Sequence, residues 1–353
     1  MTADPITIPG RSLLWRLGLL QLAAGLYGLA VRVRNLAVLV PGVRYRSRLP
    51  VISVGNITVG GTGKTPLVRE LVRILIGLGE RPVILLRGYG GSARGPLVAG
   101  PSHTASQIGD EARMLLVSAG VPVVVSRRRV SGAVLIEKQA LGTVIVLDDG
   151  FQHRWLRRDL DIVCIDGSSE RSAGQLSSGR LLPHGVLREP LLPALQRADL
   201  FLINARNFTG LPKELLDTVL KLLPEGKPTV TSTVDGLRVS GNNGVGELRP
   251  QAIVALSGIG NPEAYHATLI QAGFTLRDTV VLRDHQPIDP DTLQTALRIG
   301  VPVVLTEKDA ARLGSPLPAN VWVASISLCL KGEELLIERV REGIAKCRSE
   351  VKG

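Results

Sequence analysis

Apolar positions recur with two different periods along most of the chain. Short apolar runs bounded by glycine, such as "PVISVGN" at residues 50–56 and "TVIVLDDG" at residues 143–150, predict buried strands. After Lys64, apolar residues fall at 67, 68, 71, 72, 74, 75 and 78 before a closing glycine, a spacing that predicts a helix. Because such strands and helices alternate repeatedly, the pattern predicts an α/β fold with a doubly wound, mostly parallel sheet.

This alternation is interrupted between residues 223 and 250, where proline, glycine, threonine and asparagine predominate and predict a linker with a possible hairpin. A second, smaller set of alternating strands and helices follows and ends in a helical segment. We therefore expect an N-terminal region at 1–48, a core domain at 49–235 and a smaller C-terminal α/β domain at 236–353.

The N-terminal region contains an apolar stretch between Arg16 and Arg32. As a helix these residues would extend about 22 Å, whereas a bilayer core is about 30 Å thick. Arginines follow the stretch, and Trp15 and Tyr27 lie within it or beside it. This combination favours a helix lying in the membrane interface over a buried core helix, with a transmembrane span as the least favoured alternative.

The chain has a formal net charge of +11 and only 3% aromatic residues. The charge favours an anionic partner, which could be nucleic acid, an anionic membrane surface or a phosphorylated substrate. The scarcity of aromatic side chains and the absence of a recognition motif weigh against nucleic acid. Three cysteines without a CxxC pair predict neither a disulfide framework nor a zinc site, and indicate a reducing compartment.

The stretch "TVGGTGKTP" at residues 58–66 connects the first predicted strand to the first predicted helix of the core. It ends like a P-loop, but Thr58 stands where the usual first glycine would be. A plain strand–helix turn is the alternative. As a phosphate loop, it would use Lys64 to neutralise phosphate charge and the Thr65 hydroxyl to bind Mg²⁺. The predicted ATP-binding residues are Thr58, Gly60, Gly61, Thr62, Gly63, Lys64 and Thr65.

Other polar clusters follow predicted strands or begin helices. In "DDGFQH", Asp148 and Asp149 end a strand and suit a Mg²⁺ site of the Walker B kind. Arg188 lies in the loop "LLPHGVLREP" and could stabilise transferring charge. On their own, Asp110 in "GDEA" predicts only a helix start and His285 in "DHQ" only a turn. They would form a general base if the fold brought them together.

Taken together, these motifs resemble the tetraacyldisaccharide 4′-kinases. "GGTGKTP", "RGYGG", "GDEA", "DDGFQH", "LREP", "DHQ" and "TEKDAARL" occur in the order found in that family, and the likeness includes the N-terminal helix. The resemblance implies an enzyme that transfers the γ-phosphate of ATP, with Mg²⁺, to the 4′-hydroxyl of a tetraacylated glucosamine disaccharide 1-phosphate. It also implies a P-loop NTPase-like core and a peripheral location on the cytoplasmic face of the bacterial inner membrane.

Residue roles also follow from the resemblance. Asp110 and His285 would form the dyad that removes the proton, and Glu189 would support the metal held by Thr65, Asp148 and Asp149. The residues implied to line the cleft are Glu111, Arg129, Gln152 and His153. The chain departs from the common pattern at Ala112, His184, Val186 and Gln286. None of these four positions is assigned to chemistry, and they bear only on the fine positioning of neighbouring residues, particularly around the loop that holds Arg188.

A partner-switching P-loop ATPase of the partitioning or metallochaperone type is the alternative function. Its loops share the crowded glycines, but they usually carry a second lysine where this chain has Val59. The kinase interpretation requires a lipid disaccharide and an anionic membrane surface as partners. It requires neither nucleic acid nor an obligate protein partner.

Overall fold

One continuous sheet organises the part of the chain that the computed structural model describes, namely residues 9–241, 246–283, 286–314 and 316–352. Within those ranges the sheet has 12 strands in the order β10-β9-β11-β12-β8-β7-β6-β1-β5-β2-β4-β3. Neighbouring strands are parallel except for the pairs β8–β12 and β3–β4. The doubly wound, mostly parallel arrangement predicted from the strand–helix alternation is confirmed.

The strands are β1 (Val51–Asn56), β2 (Pro82–Leu86), β3 (Leu97–Val98), β4 (Val123–Val125), β5 (Val144–Asp148), β6 (Leu160–Asp166), β7 (Leu200–Asn204), β8 (Thr229–Ser240), β9 (Ala252–Ser257), β10 (Thr275–Val281), β11 (Val303–Thr306) and β12 (Val321–Lys331). The helices are α1 (Pro9–Ala37), α2 (Lys64–Gly77), α3 (Ala105–Ile108), α4 (Asp110–Ser118), α5 (Arg129–Lys138), α6 (Glu170–Ser177), α7 (Leu191–Arg197), α8 (Lys213–Leu220), α9 (Pro262–Gln271), α10 (Pro290–Leu297), α11 (Glu307–Leu313) and α12 (Glu333–Lys352).

Helices cover both faces of the sheet because successive side chains of a strand point to opposite faces. On β1, Ile52 and Val54 join a cluster with α2, α4 and α12, whereas Val51 joins a second cluster with α5. Helices α6, α7 and α8 pack beside β6 and β7 on the α5 face. Since both faces are covered, β1 is buried along its whole length, and the segment that follows it emerges at the carboxyl edge of the sheet.

The predicted linker at residues 223–250 is largely wrong, because residues 229–240 form the long strand β8. This strand pairs parallel with β7 and antiparallel with β12, so it joins the N-terminal and C-terminal halves of the sheet. Tertiary pairing thus overrides a local composition that is typical of loops. The predicted boundary between residues 235 and 236 falls within β8, and the division into domains stays a prediction.

Helix α1 carries an apolar stripe that no other described element covers. Leu19, Leu22, Leu26, Leu29, Val33 and Leu36 recur every three or four residues and are each about 60% exposed. The opposite side of α1 contacts the rest of the protein, since the Tyr27 hydroxyl donates a hydrogen bond of 2.7 Å to the Arg188 carbonyl oxygen. Among the described helices, none has the length and apolar character needed to cross a membrane.

Candidate active site

The segment between β1 and α2 forms a tight turn that only glycine accommodates at two positions. Gly60 and Gly63 have φ angles of 101° and 80°, in the left-handed region. A Cβ atom at Gly63 would lie 1.8 Å from Nδ2 of Asn204. The backbone is therefore held close to β7, with Gly63 directly preceding the first residue of α2.

Side chains at the carboxyl ends of β1 and β7 hold this turn through its carbonyl groups. Asn56 Nδ2 donates to the Thr58 carbonyl oxygen at 2.7 Å, and Arg206 Nη1 donates to the Gly61 carbonyl oxygen at 2.6 Å. Within the described residues, by contrast, the amides of Gly60, Gly61 and Gly63 donate no hydrogen bond. Backbone amides left as donors in a glycine turn at a helix N-terminus are suited to an anion.

The turn also pairs with the loop that carries Arg188. Thr58 forms an antiparallel bridge with Leu187, and the Val59 amide donates to the Val186 carbonyl oxygen at 2.8 Å. The Arg188 amide then donates to the Ile57 carbonyl oxygen at 2.8 Å. This short pairing brings two segments about 130 residues apart together, and it places Arg188 beside the glycine turn.

Asp149 connects the predicted phosphate-binding cations. Arg188 Nη1 lies 2.9 Å from both carboxylate oxygens of Asp149, and Lys64 Nζ lies 3.5 Å from Oδ1. Burial opposes ionisation of Asp149, but Lys64 and Arg188 outweigh that effect and lower its pKa. Asp149 also has a positive φ of 49°, an uncommon backbone conformation for a residue other than glycine.

The preceding carboxylate, Asp148, has a different environment. It is 2% exposed, and its Oδ1 has no hydrogen-bond partner among the described residues. Burial, followed by the negative charge of Glu111, raises the pKa of Asp148 to about 7. A buried carboxylate oxygen with no internal donor suits a divalent cation, which would supply the missing positive charge.

Thr65 is the second residue of α2 and half-buried, next to Lys64. The described residues contain no cluster of three or more His, Cys, Asp or Glu side chains able to hold a metal. A Mg²⁺ ion bound together with a nucleotide needs only one or two carboxylates besides phosphate oxygens. The donor set of Thr65, Asp148 and Asp149 therefore fits such an ion.

Glu189 is almost fully buried and its oxygens have protein partners. Arg197 donates to both, at 2.9 and 3.0 Å, and Gln152 Nε2 donates to Oε1 at 3.0 Å. Gln152 Nε2 also donates to the Asn56 carbonyl oxygen at 2.8 Å. Glu189 and Gln152 are thus brought together, in a network that supports the backbone where β1 ends.

Arg129 and His153 are two further buried or half-buried groups at the same edge of the sheet, and they differ in charge. Arg129 is 5% exposed, and burial, followed by repulsion from Arg87, lowers its pKa to about 10. Burial and the charge of Arg129 lower the pKa of His153 to about 4. At neutral pH, Arg129 is therefore a buried cation and His153 is neutral.

Asp110 and Glu111 begin α4, as the sequence predicted. The Asp110 carboxylate accepts a hydrogen bond of 2.7 Å from Nε of Arg312, a residue of α11. His285 lies outside the described residues, so its predicted pairing with Asp110 stays a prediction. Glu111 is close enough to Asp148 to raise its pKa.

A cleft of about 840 Å³ opens beside the glycine turn and includes residues that the motifs did not reveal. Its lining combines residues 57–62 with Asp166 at the end of β6, Arg206 and Asn207 after β7, and Asn261 before α9. The sequence did contain a signal for these residues, because polar residues at the ends of parallel strands lie at the same edge of a sheet. Predicting that they line one cleft would have required the order of the strands in the sheet, which the motifs do not give.

Comparison with known proteins agrees with this geometry. A family model described as tetraacyldisaccharide-1-P 4′-kinase matches residues 16–345. The tetraacyldisaccharide 4′-kinase of Rhodopseudomonas palustris strain BisA53 is 39% identical over 292 residues, which cover 81% of each chain. That of Shewanella sediminis is 33% identical over 305 residues, covering 85% of this chain and 84% of the relative. The chain belongs to the tetraacyldisaccharide 4′-kinase family.

A solved member of this family has the same overall fold. The crystal structure of LpxK from Aquifex aeolicus in complex with ATP superposes with a TM-score of 0.72 at 27% identity, covering 91% of this chain and 97% of that one. The family resemblance predicted from the motifs is thereby confirmed. A partner-switching ATPase is not favoured, because the match to these kinases extends through the C-terminal half of the sheet.

Proposed function

We propose that the protein transfers the γ-phosphate of ATP to the 4′-hydroxyl of a tetraacylated glucosamine disaccharide 1-phosphate, a step in lipid A biosynthesis. The observation that carries the proposal is the convergence of Lys64, Arg188 and Asp149 beside a glycine turn whose amides have no internal partner. Membership of the tetraacyldisaccharide 4′-kinases identifies the acceptor.

The glycine turn, as a P-loop, would bind the ATP phosphates through the amides of residues 60–65. Lys64 and Arg188 would exchange their contacts with Asp149 for phosphate oxygens and stabilise the charge of the transferring group. Thr58, the departure from the usual loop, has a structural role in its bridge to Leu187. A glycine is therefore not required there for phosphate binding.

Asp148, Asp149 and Thr65 would hold Mg²⁺. When bound, the ion neutralises phosphate charge and orients the terminal phosphate. Glu189, expected to support the metal, is better suited to positioning, because Arg197 and Gln152 occupy its oxygens. In this arrangement it would act on the site through Gln152 and the backbone of Asn56.

Proton removal from the acceptor hydroxyl would use Asp110 with His285. The sugar oxygen forms the new bond to phosphorus, the bond to the ADP oxygen breaks, and the proton passes to the dyad. Arg129, with Glu111 and His153 nearby, would line the acceptor side, where a buried cation suits a phosphorylated substrate. The cleft lined by Asp166, Arg206 and Asn261 would receive the nucleoside end of ATP.

The exposed apolar stripe of α1 supports a peripheral location on an anionic membrane surface, on the cytoplasmic face of the inner membrane where ATP is available. The hydrogen bond from Tyr27 to the Arg188 carbonyl oxygen would keep the lipid-facing helix next to the phosphate site. Regions 1–48, 49–235 and 236–353 would correspond to anchor, kinase core and closing domain.

Membrane binding is tested with vesicles containing anionic phospholipid. Replacing Leu22, Leu26 and Leu29 together with serine should shift the protein from the vesicle pellet to the supernatant. Ile270→Ser is the matched control, because Ile270 is equally exposed, at 57%, but lies on α9. Equal retention of both variants on vesicles would place the membrane-binding surface elsewhere.

Activity is tested with the purified full-length protein, Mg²⁺, ATP and the monophosphorylated lipid disaccharide in detergent. We expect a bisphosphorylated lipid formed in equal amount with ADP. A disaccharide already phosphorylated at the 4′ position serves as the control and should yield no ADP above background. ATP hydrolysis at the same rate with either lipid, or with none, would contradict the kinase proposal and favour an ATPase.

A further inference from the structure

The motif "TEKDAARL", residues 306–313, enters the site described so far only through the contact of Arg312 with Asp110. It ends β11 and forms α11, which packs against α4, the helix that begins with Asp110, and is linked to α2 by an ion pair. On one side, Arg69 of α2 pairs with Glu307 and donates to the Ile326 carbonyl oxygen at 2.8 Å. On the other side, Arg312 pairs with Asp110.

The Arg312 side chain is only 5% exposed and is held by several acceptors. Its Nε donates to Asp110 Oδ2 at 2.7 Å. Its Nη1 donates to the Gly258 carbonyl oxygen at 2.7 Å and to Asp309 Oδ1 at 2.9 Å. Contacts on both edges of a planar guanidinium define its orientation, which a single flexible ion pair would not do.

Asp309 is itself a fully buried carboxylate with fixed contacts. Its Oδ1 accepts from the Gly258 amide at 3.0 Å, and its Oδ2 accepts from the Thr306 hydroxyl at 2.5 Å. The Asp309 amide donates back to the Thr306 hydroxyl at 3.2 Å. A chain of buried polar contacts therefore runs from the β9 and β11 ends through Asp309 and Arg312 to Asp110.

We propose that Arg312, oriented by Asp309, is a positioning residue that holds the Asp110 carboxylate in its reactive orientation. The proposal rests on the proposed function, in which Asp110 and His285 take the proton from the acceptor hydroxyl. Proton transfer requires the base within hydrogen-bonding reach of the hydroxyl in a narrow range of geometries. Arg312, in α11, would keep the Asp110 carboxylate within that range of geometries. It exchanges no proton itself.

The opposite role, a latch that must open before Asp110 can act, would demand that Arg312 leave its contacts in each turnover. The burial of Arg312 and Asp309 argues against it, because release would leave Asp309 as a buried carboxylate without its cation. The two roles predict opposite changes of rate when the guanidinium is removed.

Steady-state kinetics of Arg312→Gln provides the first test. We expect kcat to fall by about 10- to 100-fold while KM for ATP changes by less than about threefold, since orientation of the base and not nucleotide binding is lost. Arg312→Lys should recover part of kcat, because the ammonium keeps the charge but not the fork of donors. Arg69→Gln is the matched control: it breaks the other ion pair of α11, and should lower the melting temperature while keeping the wild-type kcat.

The second test combines Arg312→Gln with Asp110→Asn and follows residual activity with radiolabelled ATP. If Arg312 acts through Asp110, the double variant is no slower than Asp110→Asn alone. Additive losses, a higher kcat in Arg312→Gln, or an equal loss of kcat in Arg69→Gln would each overturn the proposal. Wild-type protein that makes no product would refute the proposed function itself. Wild-type activity in Asp110→Asn would refute the base assignment, and this inference with it.

Discussion

The molecule contains two similar glycine turns whose backbone amides differ in their hydrogen bonding. The β1–α2 turn and the β9–α9 turn each follow a buried parallel strand, contain glycines and open a helix. In the first, the amides of Gly60, Gly61 and Gly63 have no partner within the described chain. In the second, the Gly258 amide donates to the buried Asp309 carboxylate. A glycine turn at a strand end is suited to an anion in both cases, but only the second receives its anion from the protein.

The charges around the two turns follow the same division. Near the first, Lys64 and Arg188 share the single carboxylate of Asp149, and Arg129 is a buried cation with an unpaired Nε among the described atoms. Near the second, Arg312 lies between two carboxylates, those of Asp110 and Asp309. Near the first turn, two cations therefore share one carboxylate while Oδ1 of Asp148 has no hydrogen-bond partner among the described residues, whereas both carboxylates near the second turn are paired with Arg312. This incomplete pairing is consistent with the proposal that the first turn binds an external ligand.

Removing the cation of the first turn should have the largest effect. Lys64→Gln should reduce kcat/KM for ATP by at least about 10³-fold, because the phosphate charge loses its closest compensation in a partly buried site. The melting temperature should change little, since Lys64 contacts Asp149 only at 3.5 Å. Lys213→Gln, on the exposed start of α8, serves as the control and should behave like wild type. Near-normal turnover in Lys64→Gln would mean that the first turn does not bind the phosphates.

Much of the first turn could be predicted from sequence, because its chemistry is local. The strand, the glycines and Lys64 are contiguous, so the period change and the motif together indicate a nucleotide turn. The pairing of Thr58 with Leu187 was not predictable, and neither was Asn204 at the closest approach to Gly63. Both depend on which distant segments the tertiary fold brings together, and no local pattern encodes that.

Removing the anion of the second turn should have an intermediate effect, on stability and not on nucleotide binding. Asp309→Asn should lower the free energy of unfolding by about 3 kcal/mol, because the buried guanidinium of Arg312 loses one of its two anionic partners and the Gly258 amide loses a charged acceptor. Chemical denaturation measures this loss. The Kd for ATP should stay within about twofold of wild type. An ATP affinity that fell as steeply as in Lys64→Gln would show that the second turn also belongs to the nucleotide site.

The C-terminal half of the sheet, which contains the second turn, shows where sequence patterns mislead. Residues 223–250 have the composition of a linker, yet β8 lies within them and joins the two halves in one sheet. No function could be predicted from the sequence of the motif that contains Asp309 and Arg312, because its partners Asp110 and Gly258 are distant in sequence. Family resemblance identified the motif, but only the packing of α11 against α4 indicates its use.

The smallest of these effects concerns the buried side chain of His153 near the first turn and appears as a pH dependence. Burial and Arg129 lower the pKa of His153 to about 4 from its ordinary 6.5. Between these values the unfolded chain binds a proton that the folded chain does not, so this residue makes the protein less stable as pH falls from 6.5 towards 4. At pH 5 the contribution should be on the order of 1–2 kcal/mol. His153→Gln should remove it, so the difference in unfolding free energy between variant and wild type should shift in favour of the variant from pH 7 to pH 5. Parallel stability curves for the two proteins would mean that burial and the charge of Arg129 do not lower the pKa of His153 in the folded chain, and the contrast with the second turn would then rest on the amides alone.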